Sequence, residues 1–200
     1  MKLIKRMGGV LLVLYVLVCI GLYFIQDQII FAPDTLPESH RFRSGKEIEV
    51  AVDDNVFLNT WVRESDNPQG VIIYFHGNRG NIRRCIRQVQ SFAPSDYKVY
   101  MPDYRGYGKS DGAITSQKQL FSDAQLVYDR VVSENPGVDI SIVGYSLGSG
   151  MASFLAANNP IKRLILIAPF KSIVDMKNRY FPLIPNFLIC LLYTSPSPRD

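Results

Sequence analysis

The chain has 200 residues, of which 47% are hydrophobic and 20% are charged. This length and composition allow one domain of ordinary size with a substantial core. The formal net charge is +4, but residues 26–189 contain 18 Lys and Arg against 17 Asp and Glu. Because the domain is near-neutral and has no basic cluster, it offers no electrostatic attraction for nucleic acid, and we expect no nucleic-acid partner. The three cysteines and two histidines are not spaced as a ligand set, so we predict neither a metal nor an organic cofactor.

The first predicted element is a membrane-spanning anchor over residues 8–25. This segment carries no charge and would form a helix of roughly 27 Å, close to the hydrocarbon thickness of a bilayer. A cleaved signal peptide is the alternative, but its apolar core is usually shorter and ends at a site of small residues. Lys2, Lys5 and Arg6 predict that residues 1–7 stay in the cytoplasm, which places the domain on the periplasmic or lumenal side.

A juxtamembrane linker over residues 26–45 leads into the domain, which we assign to residues 46–189. The domain opens with a predicted antiparallel hairpin, because residues 46–52 and 57–63 alternate apolar and polar side chains around an Asp-Asp-Asn turn. Two continuous apolar runs of strand length follow, with a helical segment between them. These segments cover residues 70–75, 81–92 and 97–101.

The second half of the domain repeats the alternation of helix and strand. A helix is predicted over residues 116–134, where apolar side chains recur on one stripe. The members of that stripe are Leu120, Ala124, Val127, Tyr128, Val131 and Val132. Buried strands are predicted at residues 139–144 and 163–168, with a helix over residues 147–157 between them. Apolar strands separated by helices indicate an α/β fold, with a mostly parallel sheet covered by helices on both faces.

The clearest functional signal is a G-x-S-x-G pattern formed by Gly144, Ser146 and Gly148. This spacing is typical of a sharp strand-to-helix turn that lifts the serine hydroxyl clear of the sheet. The two glycines remove side chains that would collide with the neighbouring strand and helix. The pattern follows a β-branched strand and opens a helix, so Ser146 is the predicted nucleophile.

Three further segments stand at the ends of other predicted strands. They read His-Gly-Asn-Arg-Gly-Asn at residues 76–81, Asp-Tyr-Arg-Gly-Tyr-Gly-Lys-Ser at 103–110 and Pro-Phe-Lys-Ser at 169–172. In this order, over residues 71–185, the motifs resemble the α/β-hydrolase superfamily, in particular its membrane-anchored serine hydrolases of the depalmitoylase-like branch. The resemblance implies an α/β-hydrolase fold and cleavage of an ester, thioester or amide through an acyl-enzyme on Ser146.

The resemblance also implies an oxyanion hole. One donor is the backbone N–H of Leu147, directly after the nucleophile. The second donor is the N–H of Asn78, in a loop that His76 and Gly77 shape. His76 is expected to be structural, because this fold places the catalytic histidine after the serine and the acid in chain order.

Other residues of these motifs are expected to support the site. Asp103 and Arg105 are expected to hold the loop that follows the second core strand. Tyr104, Tyr107 and Tyr145 either pack within the domain or line the substrate pocket.

The predicted constellation is incomplete, because no histidine follows Ser146. Asp175 is expected to lie in a helix rather than to serve as the acid, and the resemblance implies an acid and a histidine beyond Ile189. Residues 190–200 (CLLYTSPSPRD) resemble a translated transposon-type sequencing adapter, with a natural Ser/Pro-rich tail as the alternative. We therefore expect that the chain is C-terminally truncated and that residues 190–200 are a non-native tail. We also expect a polypeptide of this length to be nearly inactive.

The predicted substrate is an acyl-containing small molecule, a lipid or an acylated protein. The membrane anchor favours this interpretation, and so do the apolar residues 181–185, which are expected to form a lid. Two alternatives stay open: a peptidase on the same fold, and a catalytically inactive interaction domain tethered to the membrane.

Overall fold

The computed structural model describes residues 2–186, so the predicted tail at 190–200 lies outside the described residues. The described part contains five helices and eight strands. The helices are α1 (Lys2–Ile30), α2 (Ile82–Phe92), α3 (Gln117–Glu134), α4 (Gly148–Asn158) and α5 (Ile173–Tyr180). The strands are β1 (Ala32–Pro33), β2 (Lys46–Asp53), β3 (Val56–Arg63), β4 (Gly70–Phe75), β5 (Arg79–Gly80), β6 (Tyr97–Pro102), β7 (Ile140–Tyr145) and β8 (Arg163–Ile167).

The six longer strands form one sheet in the order β2-β3-β6-β4-β7-β8. The predicted hairpin is confirmed as β2 and β3, and β3 pairs antiparallel with β6. From β6 to β8 all neighbours are parallel. The chain enters this parallel part at its middle strand, β4, and then adds β6 on one side and β7 on the other. The loops that follow β4 and β7 therefore meet at one edge, where ligands of such sheets bind.

Two apolar cores cover the two faces of the sheet, as the continuous apolar runs predict. Along β4, Ile73 and Phe75 face a core shared with α3 and α4, whereas Ile72 and Tyr74 face a core shared with α2. All six residues of β4 are buried. A strand that is buried on both faces has no reason to alternate polar and apolar side chains, which explains its sequence.

Two details of the predicted core are wrong. Val132 is 40% exposed, although the other members of the α3 stripe are buried, because Val132 lies at the margin of the helix face that contacts the sheet. The strand predicted as buried at residues 163–168 is β8, in which Leu164, Ile165 and Leu166 are 37–44% exposed. Within residues 2–186, β8 pairs with β7 alone and forms the edge of the sheet.

The segment predicted as a linker is tied to the domain in part. Helix α1 continues beyond residue 25 to Ile30, and β1 then pairs in parallel with β5. This pairing holds the end of α1 against the loop that follows β4.

Within the described residues one helix, over Lys5–Gln26, is long and apolar enough to cross a membrane by length and composition, a test that signal sequences also pass.

A buried ion pair joins the loop after β6 to helix α3. The Arg105 guanidinium donates to both carboxylate oxygens of Asp123, with Nε–Oδ2 and Nη2–Oδ1 distances of 2.7 and 2.8 Å. Both side chains are buried. Arg105 thus has the anchoring contact that the sequence predicts for it.

We expect Asp123→Ala to lower the free energy of unfolding by about 3 kcal/mol, because it leaves the buried Arg105 guanidinium without its bidentate partner and with only the longer contacts to Asp53 at 3.7 Å and the Val52 carbonyl at 3.5 Å. Lys162→Ala is the matched control, since Lys162 and Asp139 form an ion pair at 3.1 Å with both side chains more than half exposed. The control should change stability by less than about 1 kcal/mol. Urea titration in detergent checks both variants, and equal losses would contradict the anchoring role of the buried pair.

Candidate active site

The turn between β7 and α4 has the strained geometry predicted for a nucleophile elbow. Ser146 lies between the last residue of β7 and the first turn of α4, with a φ of +50°. Few residues other than glycine adopt this left-handed conformation, and such strain is concentrated at functional sites. The Ser146 N–H donates to the carbonyl of Ile167 in β8 at 2.9 Å, and its carbonyl accepts from the Ser149 hydroxyl at 2.6 Å. These bonds hold the serine at the turn, with its side chain partly exposed.

The two glycines of the motif permit a close contact between strand and helix. A Cβ atom on Gly144 would lie 2.5 Å from the Gly148 carbonyl oxygen and 2.7 Å from the Ala152 Cβ atom. A Cβ atom on Gly148 would lie 2.1 Å from the carbonyl oxygen of Phe75, the last residue of β4. Both positions therefore have no room for a side chain, which is the reason that the sequence pattern suggested.

The loop at residues 76–78 lies directly beside this elbow. A Cβ atom on Gly77 would lie 3.6 Å from the Ser146 Cβ atom and 3.0 Å from the Tyr145 ring. Asn78, Ser146 and Leu147 border one cavity. Among the hydrogen bonds of residues 2–186, the backbone N–H groups of Asn78 and Leu147 have no protein partner. Two undonated N–H groups near a serine are the arrangement that an oxyanion hole needs.

His76 is buried away from this cavity. Its Nδ1 atom lies 2.7 Å from the Gly77 carbonyl oxygen, and its Nε2 atom lies 3.3 Å from Asp103 Oδ1. The ring also packs on Tyr104 at a centroid distance of 4.2 Å. Both ring nitrogens thus face groups other than Ser146, which agrees with the expected structural role.

Asp103 joins the loop after β6 to the start of α2. Its Oδ1 atom accepts from the backbone N–H of Ile82 at 2.8 Å. The carboxyl is completely buried, and burial raises its pKa above the usual value for aspartate. Gly108 passes so close that a Cβ atom there would lie 1.9 Å from Asp103 Oδ2. Asp103 therefore packs two motif loops together, in line with its expected supporting role.

Two buried tyrosines hold the carbonyl groups of the loop at residues 76–78. The Tyr104 hydroxyl donates to the His76 carbonyl at 2.6 Å, and the Tyr107 hydroxyl donates to the Asn78 carbonyl at 2.9 Å. Neither tyrosine borders the cavity, and neither does Tyr145. For Tyr104 and Tyr107 the structure supports packing, with a specific contact to the loop at residues 76–78, whereas Tyr145 is 37% exposed.

An apolar cavity of about 290 Å³ leads away from Ser146. One wall is the end of α1, which contributes Leu22, Gln26, Ile29 and Ile30. The opposite wall is α5 and its flanking residues, which include Phe170, Met176, Lys177, Phe181 and Ile184. Asp175 lies in α5, as predicted, and does not border the cavity. Two residues of the predicted lid at 181–185 do border it.

The α1 wall and Lys177 are the parts of this site that sequence reasoning missed. Asn78 links α1 to the loop at residues 76–78. Its side-chain amide donates to the Ile30 carbonyl at 2.8 Å, and its own carbonyl accepts from Ala32 N–H at 3.0 Å. The Lys177 ammonium is buried and donates to the Ile184 carbonyl at 2.7 Å. An apolar amino-terminal helix and a lysine in a short helix carry no local signal of such contacts.

We expect Gly148→Ala to lower the free energy of unfolding by about 1–3 kcal/mol or more, because the new methyl group would overlap the end of β4. Gly150→Ala is the control in the same helix, since a Cβ atom there would meet nothing closer than 4.0 Å. The control should be neutral or stabilising by about 0.5–1 kcal/mol. Denaturant midpoints compare the two variants, and a stable Gly148→Ala protein would refute the proposed close packing.

Comparisons with known proteins place the chain in a family. Residues 66–195 match the family model described as serine aminopeptidase, S33. Protein bem46 of Schizosaccharomyces pombe is 28% identical over 197 residues, which are 90% of this chain and 65% of the relative. Lysophosphatidylserine lipase ABHD12 of Danio rerio is 33% identical over 134 residues, which are 62% of this chain and 34% of the relative. The chain spans 47–66% of the length of the first curated relatives it matches.

The fold also matches solved structures. The esterase Pf2001 of Pyrococcus furiosus superposes with a TM-score of 0.57 at 20% identity, covering 80% of this chain and 64% of that protein. Identity at this level shows the fold alone. Together with the family match, it confirms the resemblance on which the motif analysis rests. The chain therefore belongs to the serine aminopeptidase S33 family of the α/β-hydrolases.

Proposed function

We propose that this protein is a serine hydrolase that cleaves an ester, thioester or amide through an acyl-enzyme on Ser146. The observation that carries the proposal is the position of Ser146, on a strained turn next to two undonated N–H groups and at the end of an apolar cavity. The family match supports a hydrolase.

In the proposed mechanism the Ser146 hydroxyl attacks the substrate carbonyl carbon as a base removes its proton. The carbonyl oxygen becomes an oxyanion and accepts from the N–H groups of Leu147 and Asn78. Each such donor typically stabilises the transition state by about 3–4 kcal/mol. The amino-terminal end of α4 adds a favourable dipole at the same place. Collapse of the intermediate expels the alcohol, thiol or amine, and water then releases the acyl group.

The general base of this mechanism is not among the described residues. The chain contains His40 and His76 alone, and His76 is engaged with Gly77 and Asp103. We therefore propose that the acid and the histidine of the triad belong to a longer form of the protein. The relatives support this, since they extend well beyond the length of the chain.

The cavity favours an acyl chain over a peptide amino terminus. Its lining is mostly aliphatic and aromatic, and among the described residues the one charged side chain that borders it is Lys177. An aminopeptidase must bind the substrate's positively charged amino group, for which a lysine is unsuitable and a carboxylate is needed. An acyl-containing small molecule, a lipid or an acylated protein fits this lining better.

We also propose that α1 anchors the enzyme in a membrane, with residues 1–7 in the cytoplasm and the domain on the periplasmic or lumenal side. Lys2, Lys5 and Arg6 support this orientation. The anchor would keep the cavity close to acylated and lipid substrates.

A fluorophosphonate probe tests the nucleophile. In a form of the protein that continues past Ile189, we expect labelling that Ser146→Ala abolishes and that Ser153→Ala, at an exposed position in α4, leaves unchanged. The 200-residue chain should label at least about 10³-fold more slowly, because it has no base for the serine. Labelling that survives Ser146→Ala would rule the proposal out.

The loop at residues 76–78, which is the proposed oxyanion loop, has its own test. We expect Tyr107→Phe to slow labelling of the longer form by about 2- to 5-fold, since the Asn78 carbonyl, in the peptide group next to the donor N–H, loses a hydrogen bond worth about 1 kcal/mol and keeps the one from Ala32 N–H at 3.0 Å. Tyr128→Phe removes a comparable bond, from its hydroxyl to the Pro160 carbonyl at 2.7 Å, far from the site. If both variants label at the same rate, Tyr107 does not position the oxyanion loop.

A further inference from the structure

The segment after α5 lies against the middle of helix α1. The Tyr15 hydroxyl donates to the Leu183 carbonyl at 2.7 Å. Tyr15 lies well inside the apolar span Lys5–Gln26. Eleven residues separate it from Gln26, which corresponds to roughly 16 Å of helix. Leu183 therefore sits alongside the span and not at its end.

This segment forms a compact turn with defined hydrogen bonds. The Lys177 ammonium donates to the Ile184 carbonyl at 2.7 Å, and the Ile184 N–H donates to the Phe181 carbonyl at 3.1 Å. Together with the Tyr15 bond, these contacts hold the turn beside α1 and pair the carbonyl groups of Phe181, Leu183 and Ile184. Such internal satisfaction is what a segment needs in order to enter hydrocarbon.

The turn presents large apolar side chains to its surroundings. Tyr180 is 67% exposed, Phe181 59% and Leu183 81%. Contiguous apolar exposure of this kind marks an interaction surface. The neighbouring Arg179 is also exposed, and its long side chain can keep its charge at the headgroup level. Since α1 already runs through the bilayer in the proposed function, the same bilayer surrounds whatever lies beside Tyr15.

The cavity connects this surface to the nucleophile. Residues of α1 and of α5, with Phe181 and Ile184, line the same cavity that Ser146 borders. An acyl chain that leaves the bilayer between α1 and α5 would therefore reach the hydroxyl without crossing water.

We propose that residues 180–183 insert into the bilayer beside α1, and that the cavity receives the acyl chain of a membrane-resident ester directly from the lipid leaflet into which these residues insert. The insertion rests on the membrane placement of α1, and the substrate route rests also on the proposed function of Ser146.

Depth-dependent fluorescence quenching tests the insertion without any need for activity. Leu183→Cys, in a chain whose native cysteines are replaced by alanine, is labelled with an environment-sensitive fluorophore and reconstituted into phosphatidylcholine vesicles. Ser153→Cys, at an exposed position on the domain, is the control. We expect blue-shifted emission and strong quenching by lipids with a nitroxide on the acyl chain at position 183, and neither at position 153.

Two results would overturn the insertion. Emission at position 183 that is as weakly quenched as at position 153, with no blue shift, would place residue 183 in water. Blue-shifted emission without quenching by the lipid nitroxide would show that protein, either another segment or a second copy of the chain, covers the turn.

The route of the substrate has a separate test in the longer, active form. Leu183→Asp should slow hydrolysis of a long-chain acyl ester in vesicles by about tenfold or more, because a carboxylate in hydrocarbon costs about 2–4 kcal/mol. Hydrolysis of a short-chain, water-soluble ester should change by less than about twofold, since the acid–base chemistry is untouched. Equal slowing of both esters would refute the route. If the unmodified enzyme cleaves neither ester, the proposed function fails, while the quenching result still stands.

Discussion

The site depends on one close contact, between the first turn of α4 and the end of β4. Because Gly148 has no side chain, the helix can approach the Phe75 carbonyl to a distance that no other residue permits. Parallel pairing of β4 and β7 places the end of β7 beside the loop that leaves β4, and the close contact lets α4 begin directly after it. The chain turns from strand to helix at Ser146, which has a positive φ. The partly exposed Ser146 side chain and the N–H groups beside it lie at that turn.

The loop at residues 76–78, beside Ser146, is held by side chains from the loop that follows β6. Tyr104 and Tyr107 bind its carbonyl groups, and Asp103 binds the start of α2, which follows it in the chain. The Asn78 N–H shares its peptide group with the Gly77 carbonyl, which lies 2.7 Å from His76 Nδ1, and the two tyrosine hydroxyls fix the peptide groups on either side of it. A site that stabilises developing charge needs such fixed donors, because donors that must reorganise during the reaction contribute less. The buried polar residues of this region thus serve the geometry of the loop.

Helix α1 takes part in the site as well as in the proposed anchoring. Its last carbonyl accepts from the Asn78 side chain, and four of its residues line the cavity. Helix α1 and the loop at residues 76–78 are therefore joined by a direct hydrogen bond. In the proposed membrane-anchored enzyme, this link would hold the pocket at a fixed height relative to the bilayer.

The sequence by itself determined the order of the elements and the elbow. Continuous apolar runs and helical stripes depend on which face of an element is buried. The G-x-S-x-G pattern reflects the lack of room for side chains at a tight turn from strand to helix. Both patterns can therefore be recognised without knowing the packing partners. Only the tertiary structure decided that β8 is the edge of the sheet within residues 2–186, that α1 walls the cavity, and that Lys177 turns inward to the Ile184 carbonyl. These features arise from contacts between segments more than a hundred residues apart, or from a helix face whose neighbours the pattern does not specify. Periodicity shows which side of an element is apolar, but the packing partner of that side is settled only when the whole chain has folded.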